Sequence, residues 1–245
     1  MNVSFSAKIL VAGEWRKGMV SPLEIIDLIN TKLKSNFGVL NGNSSTSSTG
    51  GATGGSLQNQ PVFCGGLEND TWNDTSNIDI IGKPNHGLKM MHPRSLMSSV
   101  VLNKSKLWIT GGNQRRSSTN STEIISLDQP PVPGPDLPFT VYGHSMVLVD
   151  STTIYLIGGC QKGQESNKTW IIDPTNNFQI KVGPSLNISR MEHSCSKMKI
   201  EGRIFLVVAG GATFGSVALL DSVELLDTAF PEQGWKMGMN YDDIF

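Results

Sequence analysis

Charge of one sign is what this chain most conspicuously lacks. Lysine and arginine sum to 20 against 21 acidic residues over 245 positions, a formal net charge of −1. Such a balance raises no field that would gather nucleic acid or an anionic lipid surface, so neither is expected as a partner. Long apolar runs are also missing. None approaches the roughly 20 residues that a bilayer-spanning helix needs, and no membrane insertion is expected. Cysteine is scarce: Cys64, Cys160 and Cys195 show neither paired nor metal-type spacing and read as small buried residues, with an odd count leaving one thiol over. The four histidines, His86, His92, His144 and His193, stand in loops or at strand starts, and no two have a helix-facing ligand spacing. No metal or cofactor is expected. The start of the chain has neither a basic segment nor a continuous apolar core, so it does not read as a secretory signal.

What the chain does have is a repeat. Five apolar runs end in a glycine pair or its near-equivalent: Lys8 to Glu14, Gln60 to Gly66, Lys106 to Gly112, Ile154 to Gly159 and Arg203 to Gly211. The first glycines, Gly13, Gly65, Gly111, Gly158 and Gly210, are spaced 52, 46, 47 and 52 residues apart. With Gly66, Gly112, Gly159 and Gly211 they form the candidate structural glycines. A fixed period of this length signals a repeat architecture. Each pair follows a run rich in Ile, Val, Leu and aromatics, which suits a strand buried on both faces. A polar loop comes next, then a second β-like run: Pro22 to Leu28, Ser76 to Ile81, Thr122 to Leu127, Lys168 to Asp173 and Ser222 to Asp227. Ahead of the last three pairs lies a further strand joined by a short polar turn (Ser98 to Leu102, Ser145 to Val149, Ser194 to Ile200), and each unit reads as a hairpin. A fourth segment closes those units, giving the four strands of a propeller blade. Glycine belongs at the pair because a sharp turn beside a neighbouring strand needs positive φ or close backbone approach.

These features resemble the kelch repeat, most closely over Gly143 to Gly159 followed by Trp170-Ile-Ile-Asp173. The resemblance runs from about Lys8 to Trp235. It is strong in the third, fourth and fifth units and weak in the first, where Gly13-Glu14 replaces the pair; the family's Tyr and Trp after the pair are mostly replaced, as by Ile124, Ile125 and Leu127 in the third unit. It implies an all-β fold, a kelch-type β-propeller of four-stranded blades forming one domain over 1–245, with repeats near 1–45, 46–93, 94–138, 139–187 and 188–245. The first repeat lacks an inner strand. Two readings stay open: the C-terminal octapeptide from Gly238 supplies it, or the chain is part of a longer, six-bladed propeller. The stretch 41–56 reads as a flexible low-complexity loop whose end, Ala52 to Leu57, forms a weak inner strand. A helical start at Ser21-Pro-Leu-Glu24 is outweighed by repeat phase.

The kelch resemblance implies binding through loops on one face, without catalysis. A galactose-oxidase-like copper centre needs tyrosine and histidine ligands, and Tyr142, Tyr155 and Tyr241 are poorly placed to supply them. In kelch-type substrate adaptors, arginines before the inner strand and after the glycine pair capture acidic peptides. The matching residues are Arg94, Arg190, Arg115 and Arg116, with Tyr142 in the corresponding place of the fourth repeat. The competing reading makes Arg94 and Arg190 part of the scaffold and Arg115-Arg116 a solvated loop. The expected partner is a protein or peptide. Alternatively the chain is the recognition part of a ubiquitin-ligase adaptor without its BTB domain, which would place it in the cytoplasm. Eight Asn-x-Ser/Thr sequons, an excess for this composition, favour an extracellular setting instead. Asn69, Asn73, Asn103, Asn120, Asn167 and Asn187 are the candidate acceptors.

Overall fold

The computed structural model describes residues 8–11, 24–27, 48–68, 73–80, 83, 87–213 and 218–238. Gly13, Asn69, His86 and Tyr241 lie outside them, as do 41–47 of the low-complexity stretch and the C-terminal segment after Gly238.

Alternating and fully apolar runs form strands at the expected places. Sheet I contains Thr53–Leu57, Gln60–Cys64 and Ile78–Ile80. Sheet II contains Ser98–Leu102, Lys106–Thr110, Thr122–Ile125 and Val132–Pro133. Sheet III contains Ser145–Asp150, Thr153–Ile157, Thr169–Asp173 and Gln179–Val182. Sheet IV contains Ser194–Ile200, Arg203–Ala209, Val223–Asp227 and Lys236–Met237. Within each sheet the strands pair antiparallel in chain order from an inner to an outer strand. The four sheets stand in a ring like the blades of a four-bladed β-propeller. A separate antiparallel pair joins Lys8–Val11 to Glu24–Asp27.

The core sits between the sheets. One cluster joins Val62 and Ile78 of sheet I to Leu107 and Ile109 of sheet II. A second joins Val100 and Trp108 to Met146 and Leu156 of sheet III. A third joins Val147 and Ile157 to Leu206 and Leu226 of sheet IV. Leu107, Trp108 and Ile109 are all fully buried. Burial on both faces of the second strand is why that strand is a continuous apolar run rather than an alternating one.

The glycine pairs end the second strands, and both members adopt left-handed backbone: φ is 57° and 96° at Gly111-Gly112, 61° and 86° at Gly158-Gly159. The first N–H of each pair stays in its own sheet, as in Gly111 to the Ser121 carbonyl at 3.1 Å. The second crosses to the next sheet: Gly66 N–H donates to the Arg94 carbonyl at 2.9 Å, Gly112 to Val141 at 2.8 Å and Gly159 to Arg190 at 2.8 Å. A Cβ on Gly158 would stand 2.7 Å from the Arg190 carbonyl oxygen, and one on Gly111 would collide with that of Val141. Positive φ and close approach therefore both operate at the pair.

A further series of bonds links the inner ends of the sheets. Leu96 N–H donates to the Gly51 carbonyl at 2.7 Å, Gly143 to Leu96 at 2.7 Å, and Glu192 to Gly143 at 2.6 Å. Sheet IV has no following sheet against it among the described residues. A Cβ on Gly210 would meet only the Leu220 carbonyl, at 3.5 Å, and Ser196 is exposed where its counterpart Val147 in sheet III is buried.

The polar loops after the glycine pairs hold order that composition did not reveal. Asn113–Gln114 pairs with Ser117–Ser118, Cys160–Gln161 with Gln164–Glu165, and Ala212–Thr213 with Ala218–Leu219. The low-complexity end, read as a loop with a weak strand, forms the inner strand Thr53–Leu57. Gly55 lies where a Cβ would press on Val101, so its missing side chain lets sheets I and II close together.

Candidate functional site

The ring presents two features on which ligands can act: the mouth at its inner rim, and the small hairpins after the glycine pairs. A concavity of about 320 Å³ opens at the rim, bordered by Ser98, His144, Ser145, Glu192 and His193. Leu96, Gly143 and Glu192 occupy one structural position in three successive sheets, each with positive φ, at 54°, 62° and 54°.

His144 and His193 follow that position and are both buried. The Nε2 of His144 lies 2.9 Å from the Thr110 hydroxyl of the preceding sheet, a hydrogen bond that ties the two sheets together. In the next sheet Ile157 stands where Thr110 does, just before the glycine pair, and neither ring nitrogen of His193 has a partner among the described residues. Burial pushes the His144 imidazole down to about 3, with His193 adding to the effect. Burial pushes His193 to about 4, with Arg190 adding. Both are therefore neutral near pH 7.

Arg94 and Arg190 are not binding arginines. Each is fully buried and paired with a carboxylate on the third strand of its own sheet, Arg94 to Glu123 at 2.7 Å and Arg190 to Glu224 at 2.9 Å. Arg94 Nη1 also donates to the Gly111 and Ser121 carbonyls, Arg190 Nη1 to those of Gly210 and Ser222, and Arg190 Nη2 to the Ser222 hydroxyl, while the buried Nε of each arginine has no partner among the described residues. The carboxylates in turn accept the N–H groups of the incoming linker. Glu123 takes those of Met91 at 2.8 Å and His92 at 3.1 Å, and Glu224 takes those of Asn187 at 2.7 Å and Ile188 at 3.1 Å. A guanidinium enclosed in this way has no face left for a partner, so the scaffold reading of Arg94 and Arg190 replaces the binding one. Burial draws the Arg94 pKa down, and Glu123 opposes that.

Tyr142 does not occupy the place of these arginines. The bridges Ser95 to Asn113, Tyr142 to Cys160 and Met191 to Ala212 align Tyr142 with Ser95, and put Val141 at the arginine position. Tyr142 is half-buried, and burial together with a hydrogen bond to Cys160 pushes its hydroxyl pKa up. The glutamate position in the same sheet is held by Trp170, which pairs with Leu156 as Glu123 pairs with Ile109. Arginine and glutamate are thus present together in sheets II and IV and replaced together in sheet III. That joint change was readable in the sequence once the register was known.

Arg115 and Arg116, unlike Arg94 and Arg190, are exposed. They form the exposed tip of the hairpin after Gly111-Gly112, with φ of 51° and 66°. The hairpin is anchored by Asp74 of the preceding unit, which accepts the Arg115 N–H at 2.8 Å and the Ser95 hydroxyl at 2.6 Å.

Several sequon asparagines have structural work. The Asn120 amide donates to the Leu137 carbonyl, Asn167 to that of Leu186, and Asn187 to Glu224 and the Trp235 carbonyl. A glycan replaces one of the two hydrogens on the amide nitrogen, so on Asn187, which uses both, it would cost one of these bonds. Asn73 and Asn103 are exposed, and Asn103 stands in the turn between the first two strands of sheet II. The three cysteines are free. Burial raises Cys195 to about 12 and raises Cys64 further still, which fits inert packing residues. Among the described residues no group of three or more His, Cys, Asp or Glu side chains is placed to hold a metal ion, and no helix is long and apolar enough to cross a membrane. Compared with known protein families and characterised proteins, the chain matches no family profile and no individual sequence significantly.

Proposed function

We propose that this chain is a kelch-type propeller module of five repeats that binds a protein or peptide partner, without catalysis, through its loop face. The observation that carries the reading is the Arg115-Arg116 hairpin: two cationic heads exposed side by side on a loop fixed by Asp74 and seated on a buried sheet. A rigid scaffold with projecting cationic loops suits recognition of acidic side chains, because the planar guanidinium pairs bidentately with carboxylate. The five-repeat count is supported by register. The residue two places before each first glycine pairs with the second or equivalent position of the third strand: Val11 with Glu24, Phe63 with Asp79, Ile109 with Glu123, Leu156 with Trp170 and Val208 with Glu224. The glycine pairs and the four-stranded meander support the kelch type.

Selection of a random peptide library on the immobilised chain tests this. Acidic peptides are expected to be enriched, and Arg115→Ala with Arg116→Ala is expected to weaken them by about tenfold or more. Enrichment with no acidic preference, or binding unchanged in the double variant, would sink the loop-face reading.

A further inference from the structure

Between sheets II and III lies a cavity of about 500 Å³. In sheets II and IV a glutamate on the third strand is buried beside an arginine, and its carboxylate receives two linker N–H groups. In sheet III the arginine is Val141 and the glutamate is Trp170, so both charges are gone. The linker positions that donate elsewhere are here Pro138, which has no N–H, and Phe139. The Phe139 N–H, in the place of those of His92 and Ile188, finds no acceptor among the described residues.

The other groups around this cavity have the same bias. Trp170 Nε1 is buried without an acceptor, and so is the side-chain nitrogen of Gln161. Lys162 and Lys168 are exposed at its edge, and no carboxylate lines it. The Trp170 and Phe139 rings stack with centroids 4.7 Å apart and form an apolar wall. A buried donor without an acceptor is costly, and a carboxylate is the group that these three N–H donors and two ammonium groups jointly favour.

We propose that this junction binds the carboxylate of an acidic side chain in a partner peptide, beside the position where sheets II and IV carry their own glutamate and sheet III carries Trp170. The neighbouring apolar part of the peptide packs on Phe139 and Trp170. The inference rests on the protein-binding reading but uses a site separate from the Arg115-Arg116 hairpin.

The test follows the Trp170 indole N–H by nuclear magnetic resonance in the ¹⁵N-labelled chain, its signal assigned through Trp170→Phe. The probes are a short acetylated, amidated peptide with one glutamate flanked by leucines, its glutamine twin, and sodium acetate. The glutamate peptide is expected to move the signal saturably, the glutamine twin to require about tenfold more, and acetate to act only at far higher concentration. Lys162→Ala with Lys168→Ala, both at exposed positions, should weaken the glutamate peptide by a similar factor. Val141→Arg with Trp170→Glu should install the internal pair of the neighbouring sheets and, followed by the Phe139 amide signal, abolish the response. No shift with the glutamate peptide, equal shifts with its twin, or an unchanged response in the lysine variant would overturn the proposal. Acetate matching the peptide would overturn its assignment to a peptide. A Trp170 response that survives while Arg115→Ala with Arg116→Ala leaves library selection unchanged would defeat the loop face alone; the converse would defeat this cavity alone.

Discussion

Two arginines in like positions do the same structural work 96 residues apart, from Arg94 to Arg190. Removing one partner of such a buried pair leaves the other charge uncompensated, a loss of about 3–5 kcal/mol in comparable cases. Arg94→Ala and Arg190→Ala are each expected to lower the urea midpoint strongly; a midpoint near that of the parent chain would show that the pair is not buried in solution. The histidines predict a dependence on pH. His144 and His193 titrate in the folded chain near 3 and 4, below the ordinary 6.5. Between about pH 6.5 and 4 the unfolded chain thus binds protons that the folded one does not, so stability present above that window is lost as pH falls through it. His193→Leu should make the slope of unfolding midpoint against pH shallower there. An unaltered slope would contradict a buried neutral His193. The sequence showed an arginine before the inner strand but not its burial, because its glutamate stands 29 or 34 residues further on and only pairing register brings them together.

At the scale of the element, the glycine pair combines two demands that substitution separates. Alanine at Gly111 or at Gly210 accepts about 1–2 kcal/mol of left-handed strain. Only at Gly111 does the added Cβ also strike the carbonyl of the next sheet, so Gly111→Ala should destabilise by about 1–3 kcal/mol more than Gly210→Ala. Thermal unfolding of the two variants measures the difference, and equal losses would remove the inter-sheet contact from the explanation. Strands were legible because both-face burial and glycine punctuation leave marks in composition. The hairpins after the pairs were not, since segments such as Asn113–Gln114 and Ser117–Ser118 are two residues long and polar. Tyr142 was misplaced by one position for a related reason: Val141 has none of the chemistry of arginine, and the bridge to Cys160 is needed to see that it stands in the same place.

Across the whole molecule, successive sheets are joined by main-chain bonds from residues outside the regular ladders. Leu96, Gly143 and Glu192 should therefore show amide hydrogen exchange as slow as strand residues, and rapid exchange at all three would count against the ring arrangement. The sequence revealed the repeat and its phase, but not the ring's inner linkage, which involves no residue type in common. Leucine, glycine and glutamate hold one station through N–H and C=O alone, so the side chain there is released from any duty to the architecture. The rim can in this way be rewritten one letter at a time, apolar, bare or acidic, while the frame beneath it stays the same.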